Sequence, residues 1–404
     1  MLVFAAIFGT LPTVVSTRRK GMINRTLPPA IFALSLVLSG TVAAKNSYVE
    51  KRLQELVDNG EAPGVQYVAV KAGGILADTS AGWADIKNRT PMRVSATMHA
   101  YSMTKTITAI AVLQLMQGGK ISLSDPLTRY IPDHPYGKQV TIHQLLTHTS
   151  GIPNPIPLKW THLPKERSSF NEAGALQSVA ADNPDLKFQP GGSYKYSNIG
   201  YWYLGQVVAV VSGMPYEDYV VKTILQPLGI SKSEMGFTIA PHNIQAKGYL
   251  ARFSFMNLLK GLLLKPGMVG EKEGSWVYLK PVYVNGKAYG GLIGSARAMA
   301  TILQDLLDSN SRLLSANSKA LMYSPQKTSN GESIDMTLGW HIGKYRGTVF
   351  YYKEGGGAAY RSEMRIYPDD NLASVLMLNR TQFDTSDELN RLDAGFLQSP
   401  EKQE

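Results

Sequence analysis

Cysteine is absent from the 404 residues. That excludes disulfides, thiolate metal sites, a cysteine nucleophile and a lipid-modified N-terminal cysteine. No His-Glu-x-x-His run occurs, and His143 and His148 stand at a non-standard spacing, so neither a metal nor any other cofactor is expected. No Gly-x-Ser-x-Gly elbow exposes a serine, which argues against a Ser-His-Asp hydrolase. Positive charge is also scarcer than it first looks. The net charge is +10, but Arg18, Arg19, Lys20 and Arg25, with no acid among residues 1–44, account for +4 of it. The remaining +6 is scattered, without a basic run or an aromatic-basic array, so no nucleic acid is expected as a partner. Internal repeats and low-complexity segments are missing too.

What is present describes a globular chain. Hydrophobic residues make up 44% and charged residues 18%, enough to bury a large core without disulfides. Residues 1–44 read as a signal peptide. Arg18 to Arg25 form its basic region, Ala30 to Leu38 its apolar region and Val42-Ala43-Ala44 the site of cleavage. Met22 is an alternative start that would make the upstream residues an over-long gene model. The expected destination is the periplasm or the cell exterior, with membrane association if the segment is retained as an anchor.

Residues 45–398 then carry strand patterns at both ends and helical patterns between. A short amphipathic helix is expected over 47–57, followed by paired strands at Val65–Lys71 and Ile75–Trp83. From Ile121 to about Ile230, loops rich in Pro and Asn separate helical runs. From Gly290 a helix over Ala296–Leu307 leads to strands at Leu338–Tyr345, Val349–Lys353, Tyr360–Tyr367 and Ala373–Leu378, closed by a helix near Ser386–Phe396. The pattern predicts an α+β fold. An antiparallel sheet is built from residues 45–100 and 290–398 and flanked by helices, with a mainly helical region inserted over about 101–289. Residues 252–265, apolar with basic punctuation, read as a core or domain-joining helix. Read as an interfacial helix, they would dip Phe253, Phe255, Leu258 and Leu262 into a membrane as a peripheral contact.

Three stretches could carry chemistry. Ser102 and Lys105 stand three apart where a β-like run becomes a buried helix, so one helical surface brings the amine to the hydroxyl. A serine hydroxyl is a weak nucleophile until a base takes its proton, and a lysine whose pKa is lowered by burial can be that base. Ser324-x-x-Lys327 and Ser399-x-x-Lys402 share the spacing but not the setting. Tyr196-Ser197-Asn198 follows a Pro-Gly-Gly turn; a phenol beside a lysine can shuttle protons, and an amide can orient a carbonyl. Lys353-Glu354-Gly355-Gly356-Gly357 ends a strand, where lysine adds positive potential and glycines let a substrate lie against the backbone.

In this order, the three stretches resemble the serine hydrolases of the β-lactamase and penicillin-binding-protein superfamily, nearest its class C branch and related esterases and D-peptidases. Further markers are Leu145-Leu146-Thr147-His148-Thr149-Ser150-Gly151-Ile152, Pro190-Gly191-Gly192, Pro227-Leu228-Gly229 and Gly290-Gly291-Leu292. The resemblance spans residues 47–380. It implies a β-lactamase/transpeptidase-like fold, a site between sheet and helical region, and a small-molecule or peptide-like acyl substrate carrying an ester, amide or β-lactam carbonyl.

Carried over residue by residue, it makes Ser102 the nucleophile and Lys105 its proton partner. Tyr196 becomes the general base in acylation and the group that assists water in deacylation, and Asn198 the group that positions the substrate amide. Lys353, Gly355 and Gly356 form the substrate-binding strand, with an oxyanion hole from the N–H groups of Ser102 and Gly356. Within that resemblance His148 belongs to a structural marker. The alternatives are a class C-type β-lactamase or D,D-peptidase, and a penicillin-binding sensor that does not turn over. Glu354 departs from the pattern, which usually has threonine or serine there. A carboxylate about 4 Å from a substrate carboxylate costs about 4 kcal/mol at an effective dielectric of 20. Neutral or cationic substrates are therefore expected, unless Arg361 pairs with Glu354 or the strand turns it away.

Overall fold

The computed structural model describes residues 45–398 except 158–159, 242, 255–256, 258–263 and 265–266. The expected signal peptide lies outside the described residues, as does most of the apolar segment 252–265. Phe253, within that segment, is exposed. Among the described residues no helix is long and apolar enough to cross a membrane.

Helix α1 (45–58) leads into strands β1 (Gly64–Lys71), β2 (Gly74–Asp85) and β3 (Thr90–Pro91). The buried helices α2 (Thr104–Gln117) and α3 (Asn198–Ser212) follow, then α4 (Ala296–Leu307). Strands β4 (His341–Tyr345), β5 (Thr348–Gly356), β6 (Arg361–Tyr367) and β7 (Leu372–Leu378) precede a last helix, α5 (Thr385–Asp393). The seven strands form one antiparallel sheet in the order β4-β5-β6-β7-β1-β2-β3. Its centre joins the two ends of the chain: β1 pairs with β7, from Val65 opposite Leu378 to Val70 opposite Ala373. That junction is the α+β architecture expected from strands at both ends and helices between.

Side chains alternate across a strand, so β7 serves two cores. Ala373, Val375 and Met377 face the cluster that contains α2, α3 and α4. Leu372, Leu376 and Leu378 face Val49, Leu53 and Leu56 of α1 and Leu389 and Leu392 of α5. Helix α2 is buried on nearly all sides, which explains why its apolar residues extend beyond a single stripe. The inserted region is less helical than expected. A three-stranded antiparallel ribbon is made by Gly248–Ala251, Trp276–Leu279 and Val269–Glu273. The aromatic and β-branched run Trp276-Val277-Tyr278-Leu279 follows the left-handed Gly274, whose turn separates two of its strands.

Helix α5 is held on the sheet by buried polar groups. The fully buried Arg365 reaches Glu363 (2.7 Å), Asn390 Oδ1 (2.7 Å) and the Ser386 carbonyl (2.8 Å), and Thr385 donates to Glu363 at 2.8 Å. Replacing Arg365 with methionine leaves Glu363 charged and buried without its cation. The expected loss is about 3–5 kcal/mol of folding stability, read as a lower denaturant midpoint.

Candidate active site

Met98–His99 pairs with Ile293–Gly294, and the chain then enters a tight 3-10 turn, Tyr101–Met103, before α2 starts at Thr104. Ser102 therefore sits in the turn ahead of the helix. Two tethers hold that turn: the Ala100 N–H donates to Leu292 O (2.9 Å) and the Leu292 N–H to Thr104 Oγ1 (3.2 Å). This is the structural use of the Gly290-Gly291-Leu292 marker. Tyr101 adopts φ 44°, the left-handed region, and its phenol donates to the Ala358 carbonyl. A strained residue beside a nucleophile is held only where its surroundings over-determine it.

The structure brings together Ser102, Lys105, Tyr196 and Asn198, whose sequence positions span almost a hundred residues. Lys105 Nζ lies 3.1 Å from Ser102 Oγ, and the Tyr196 phenol donates to the same oxygen at 2.8 Å. Lys105 also donates to Asn198 Oδ1 and to the Tyr289 carbonyl, each at 2.7 Å. Asn198 turns its oxygen to the amine, which leaves its amide nitrogen to meet a substrate carbonyl. Burial pushes the Lys105 amine well below its ordinary range, and the nearby Lys353 charge pushes the same way. Burial pushes the Tyr196 phenol upward, against a smaller downward effect of its bond to Ser102.

These shifts bear on the proton roles. A neutral Lys105 has two hydrogens, matched by the two shorter bonds to Asn198 and Tyr289. Its lone pair is then free to accept the Ser102 proton. A phenol held protonated by burial is a donor, not a base.

Tyr196 is positioned from behind by the stretch 145–152. His148, in the left-handed region at φ 58°, accepts the Ser197 N–H on Nδ1 (3.1 Å), and its own carbonyl accepts the Lys195 N–H (2.9 Å). Its ring lies 4.4 Å from that of Tyr196 between centroids. Gly151 presses on Phe188, where an added Cβ would come within 2.4 Å of the carbonyl oxygen. Ser197 caps α3 by accepting from the Gly200 N–H at 3.1 Å. The structural reading of His148 agrees with these contacts. Ser324, by contrast, donates to Leu321 O at its own helix end and accepts from Gln326 Nε2, and Lys327 is exposed. Ser399 and Lys402 lie outside the described residues.

Strand β5 supplies the opposite wall. Gly355 is where its backbone lies on the serine turn: a Cβ there would fall 2.1 Å from Ala100 O. Lys353 is buried, with its amine 3.2 Å from His341 Nε2 and 5.2 Å from the Tyr196 ring centroid. Glu354 is half-buried and pairs with Arg361 Nη2 at 3.0 Å. Of the two ways around its charge, pairing with Arg361 is the one realised.

Ser102, Tyr196, Asn198, Lys353, Glu354 and Gly356 share one cleft of about 930 Å³. Its apolar side includes Trp160, Leu264, Met268, Val282, Val284 and Tyr289, so the segment 237–285 helps to build the cleft wall. At another side Glu354, Arg361, Gln382 and Asp384 are polar. Among the described residues no group of three or more His, Asp or Glu side chains could hold a metal. Sequence reading missed His341. Its signal lay in the β4–β5 hairpin, whose register sets His341 opposite Tyr352, one residue from Lys353.

Comparison with known proteins identifies the family. The Beta-lactamase family model matches residues 49–397. A penicillin-binding protein of Bacillus subtilis (strain 168) is 25% identical over 320 residues, covering 78% of this chain and 68% of that protein. A second protein of that strain, described as a putative penicillin-binding protein, is 31% identical over 205 residues, which are 51% of this chain and 48% of its own. The matched segment is thus about half the length of the second relative. In fold, D-amino acid amidase from Ochrobactrum anthropi SV3, solved with L-phenylalanine amide, superposes with a TM-score of 0.69 at 21% identity, covering 87% of this chain and 98% of that one. An octameric penicillin-binding protein homologue from Pyrococcus abyssi gives 0.68 at 23% identity, over 87% and 76% of the two chains.

Proposed function

The chain belongs to the beta-lactamase family, and from that membership we propose that it is an exported serine hydrolase working through an acyl-enzyme on Ser102. The observation that carries the proposal is Ser102 Oγ held between a lysine amine at 3.1 Å and a phenol at 2.8 Å. Lys105 takes the hydroxyl proton as Oγ attacks the carbonyl carbon. The proton then passes through the Tyr196 phenol to the leaving group, and water releases the acyl group. The N–H groups of Ser102 and Gly356 hold the oxyanion, where each donor is worth about two to three powers of ten in rate.

The proposed substrate is an ester or amide without a free carboxylate, neutral or cationic, with an apolar group against the Trp160 and Val282 side. The Glu354–Arg361 pair removes the bare repulsion of Glu354, so the reading rests instead on the arginine: one already matched to a carboxylate has less to offer a second. The amidase among the fold neighbours recommends D-amino-acid amides for a panel that also holds p-nitrophenyl esters and a chromogenic cephalosporin.

The test is to mix the mature protein with a fluorophosphonate or a fluorescent penicillin and follow the adduct mass. An adduct that forms and decays supports a hydrolase, a persistent one supports an acyl-binding sensor, and none at all defeats the acyl-enzyme. Export predicts that the secreted protein begins at Lys45. A further expectation concerns Glu354→Thr. It frees Arg361 and restores a hydroxyl, so penicillin acylation should rise about tenfold or more, the equivalent of about 1.4 kcal/mol. An unchanged acylation rate would remove the charge argument.

A further inference from the structure

Two buried lysines serve this site, and they are held differently. Lys105 is held by three partners, the Ser102 hydroxyl, Asn198 Oδ1 and the Tyr289 carbonyl, and its side chain is not part of the cleft lining. Once Ser102 is acylated, the Lys105 lone pair still points at Oγ, now an ester oxygen, and not at a water entering from the cleft. Lys353 and His341 both line the cleft. The bond from Lys353 to His341 is its one side-chain hydrogen bond among the described residues. Glu354, the next residue along, is turned to Arg361 and leaves Lys353 without a salt bridge among the described residues.

We propose that Lys353, positioned by His341, is the base that activates the hydrolytic water, so that separate lysines serve acylation and deacylation. The inference rests on the acyl-enzyme proposed above. With His341 Nε2 accepting one amine hydrogen, the neutral Lys353 turns its lone pair toward the cleft. The water oxygen attacks the acyl carbon while its proton moves to Lys353 Nζ. The tetrahedral intermediate collapses, the bond to Ser102 Oγ breaks, and Oγ recovers a proton from the Tyr196 phenol. The phenol is reprotonated from Lys353 or from solvent, which closes the cycle without another reactant.

Burial supports the role. It brings the Lys353 amine down to about 7, although Glu354 pulls it upward, so a neutral fraction exists at ordinary pH. His341 is held neutral chiefly by its own burial, and can accept. The other groups facing the amine are the Lys105 amine, the Tyr196 phenol and His148, the last also held neutral. Arg361 acts on it only through Glu354.

The test uses the full enzyme with a neutral p-nitrophenyl ester, which needs no cation for binding. Stopped-flow absorbance separates the acylation burst from the steady state, and mass spectrometry counts the adduct. In Lys353→Met the burst should persist while steady-state turnover falls about 100-fold, with acyl-enzyme accumulating on Ser102. His341→Phe should also slow deacylation and displace its pH midpoint from near 7, and His341→Gln, which keeps an acceptor, should recover much of the loss. The persisting burst also reports that each variant is folded. Burst and steady state falling together, or a deacylation pH profile unchanged in Lys353→Met, would overturn the proposal. Absence of any adduct in the unsubstituted enzyme overturns the acyl-enzyme reading itself, a different result from either.

Discussion

Ser102→Ala is expected to lower turnover by about four to six powers of ten and to abolish every covalent adduct. The alanine keeps the turn, because its tethers are backbone and Thr104 contacts rather than the serine hydroxyl. Lys105 and Tyr196 lose only a shared partner, so binding of a substrate analogue should change little while the chemical step disappears. Whatever rate remains would come from water attacking a carbonyl that the oxyanion donors still polarise. The double variant Ser102→Ala with Lys105→Met should be barely slower than the single, since both residues act on one proton transfer. Intact mass after fluorophosphonate treatment, together with ester hydrolysis, checks the expectation. Undiminished turnover in Ser102→Ala would move the chemistry elsewhere in the molecule.

The second large effect is that of Lys105→Met, about two to four powers of ten in the acylation rate. Methionine fills much of the same buried volume but carries no proton acceptor. The sign of the pH dependence follows from the direction of the shift. Burial holds the amine below its ordinary value, so the base is present at pH above that lowered value and is lost as pH falls through it. Acylation in the unsubstituted enzyme should therefore decline on the acid side, and that limb should be missing from the slow residual reaction of the variant. Asn198 Oδ1 and the Tyr289 carbonyl lose their donor, an unfavourable change of about 1–3 kcal/mol for each acceptor left buried and unpaired. Removing a desolvated amine offsets part of it. A variant that kept the acid limb with its rate would leave Tyr196 as the base, the role assigned by resemblance. Pre-steady-state rates between pH 5 and 9 separate the two.

Much of this was legible before any coordinates. Helix α4 spans Ala296–Leu307, the range its periodicity predicts, because the cap Ser295 and an amphipathic stripe act locally. The sheet strands were readable for the same reason, since alternation records which side is buried. The ribbon over 248–279 was not read. Its strands are four or five residues long, and short runs lack the repeats that distinguish a strand from a helix. At the site, residue types and their order pointed to Ser102, Lys105, Tyr196, Asn198 and Lys353. Glu354 was noticed as a departure, but whether Arg361 met it depended on β6 lying beside β5 in one register, with Gly356 opposite Arg361.

The sequence by itself determined which side chains could react, how the helix of Lys105 would form, and that both ends of the chain would build one sheet. These depend on interactions within a few residues of each other or on a repeating pattern. Proton roles were decided only by the tertiary structure. Whether an amine is a base or a charge depends on how completely distant segments exclude water from it, and Lys105 and Lys353 are buried by residues that come from all over the chain. Electrostatic energy in a dry cleft is set by distances in space, and a linear sequence carries those only where a neighbour is also a neighbour in the chain.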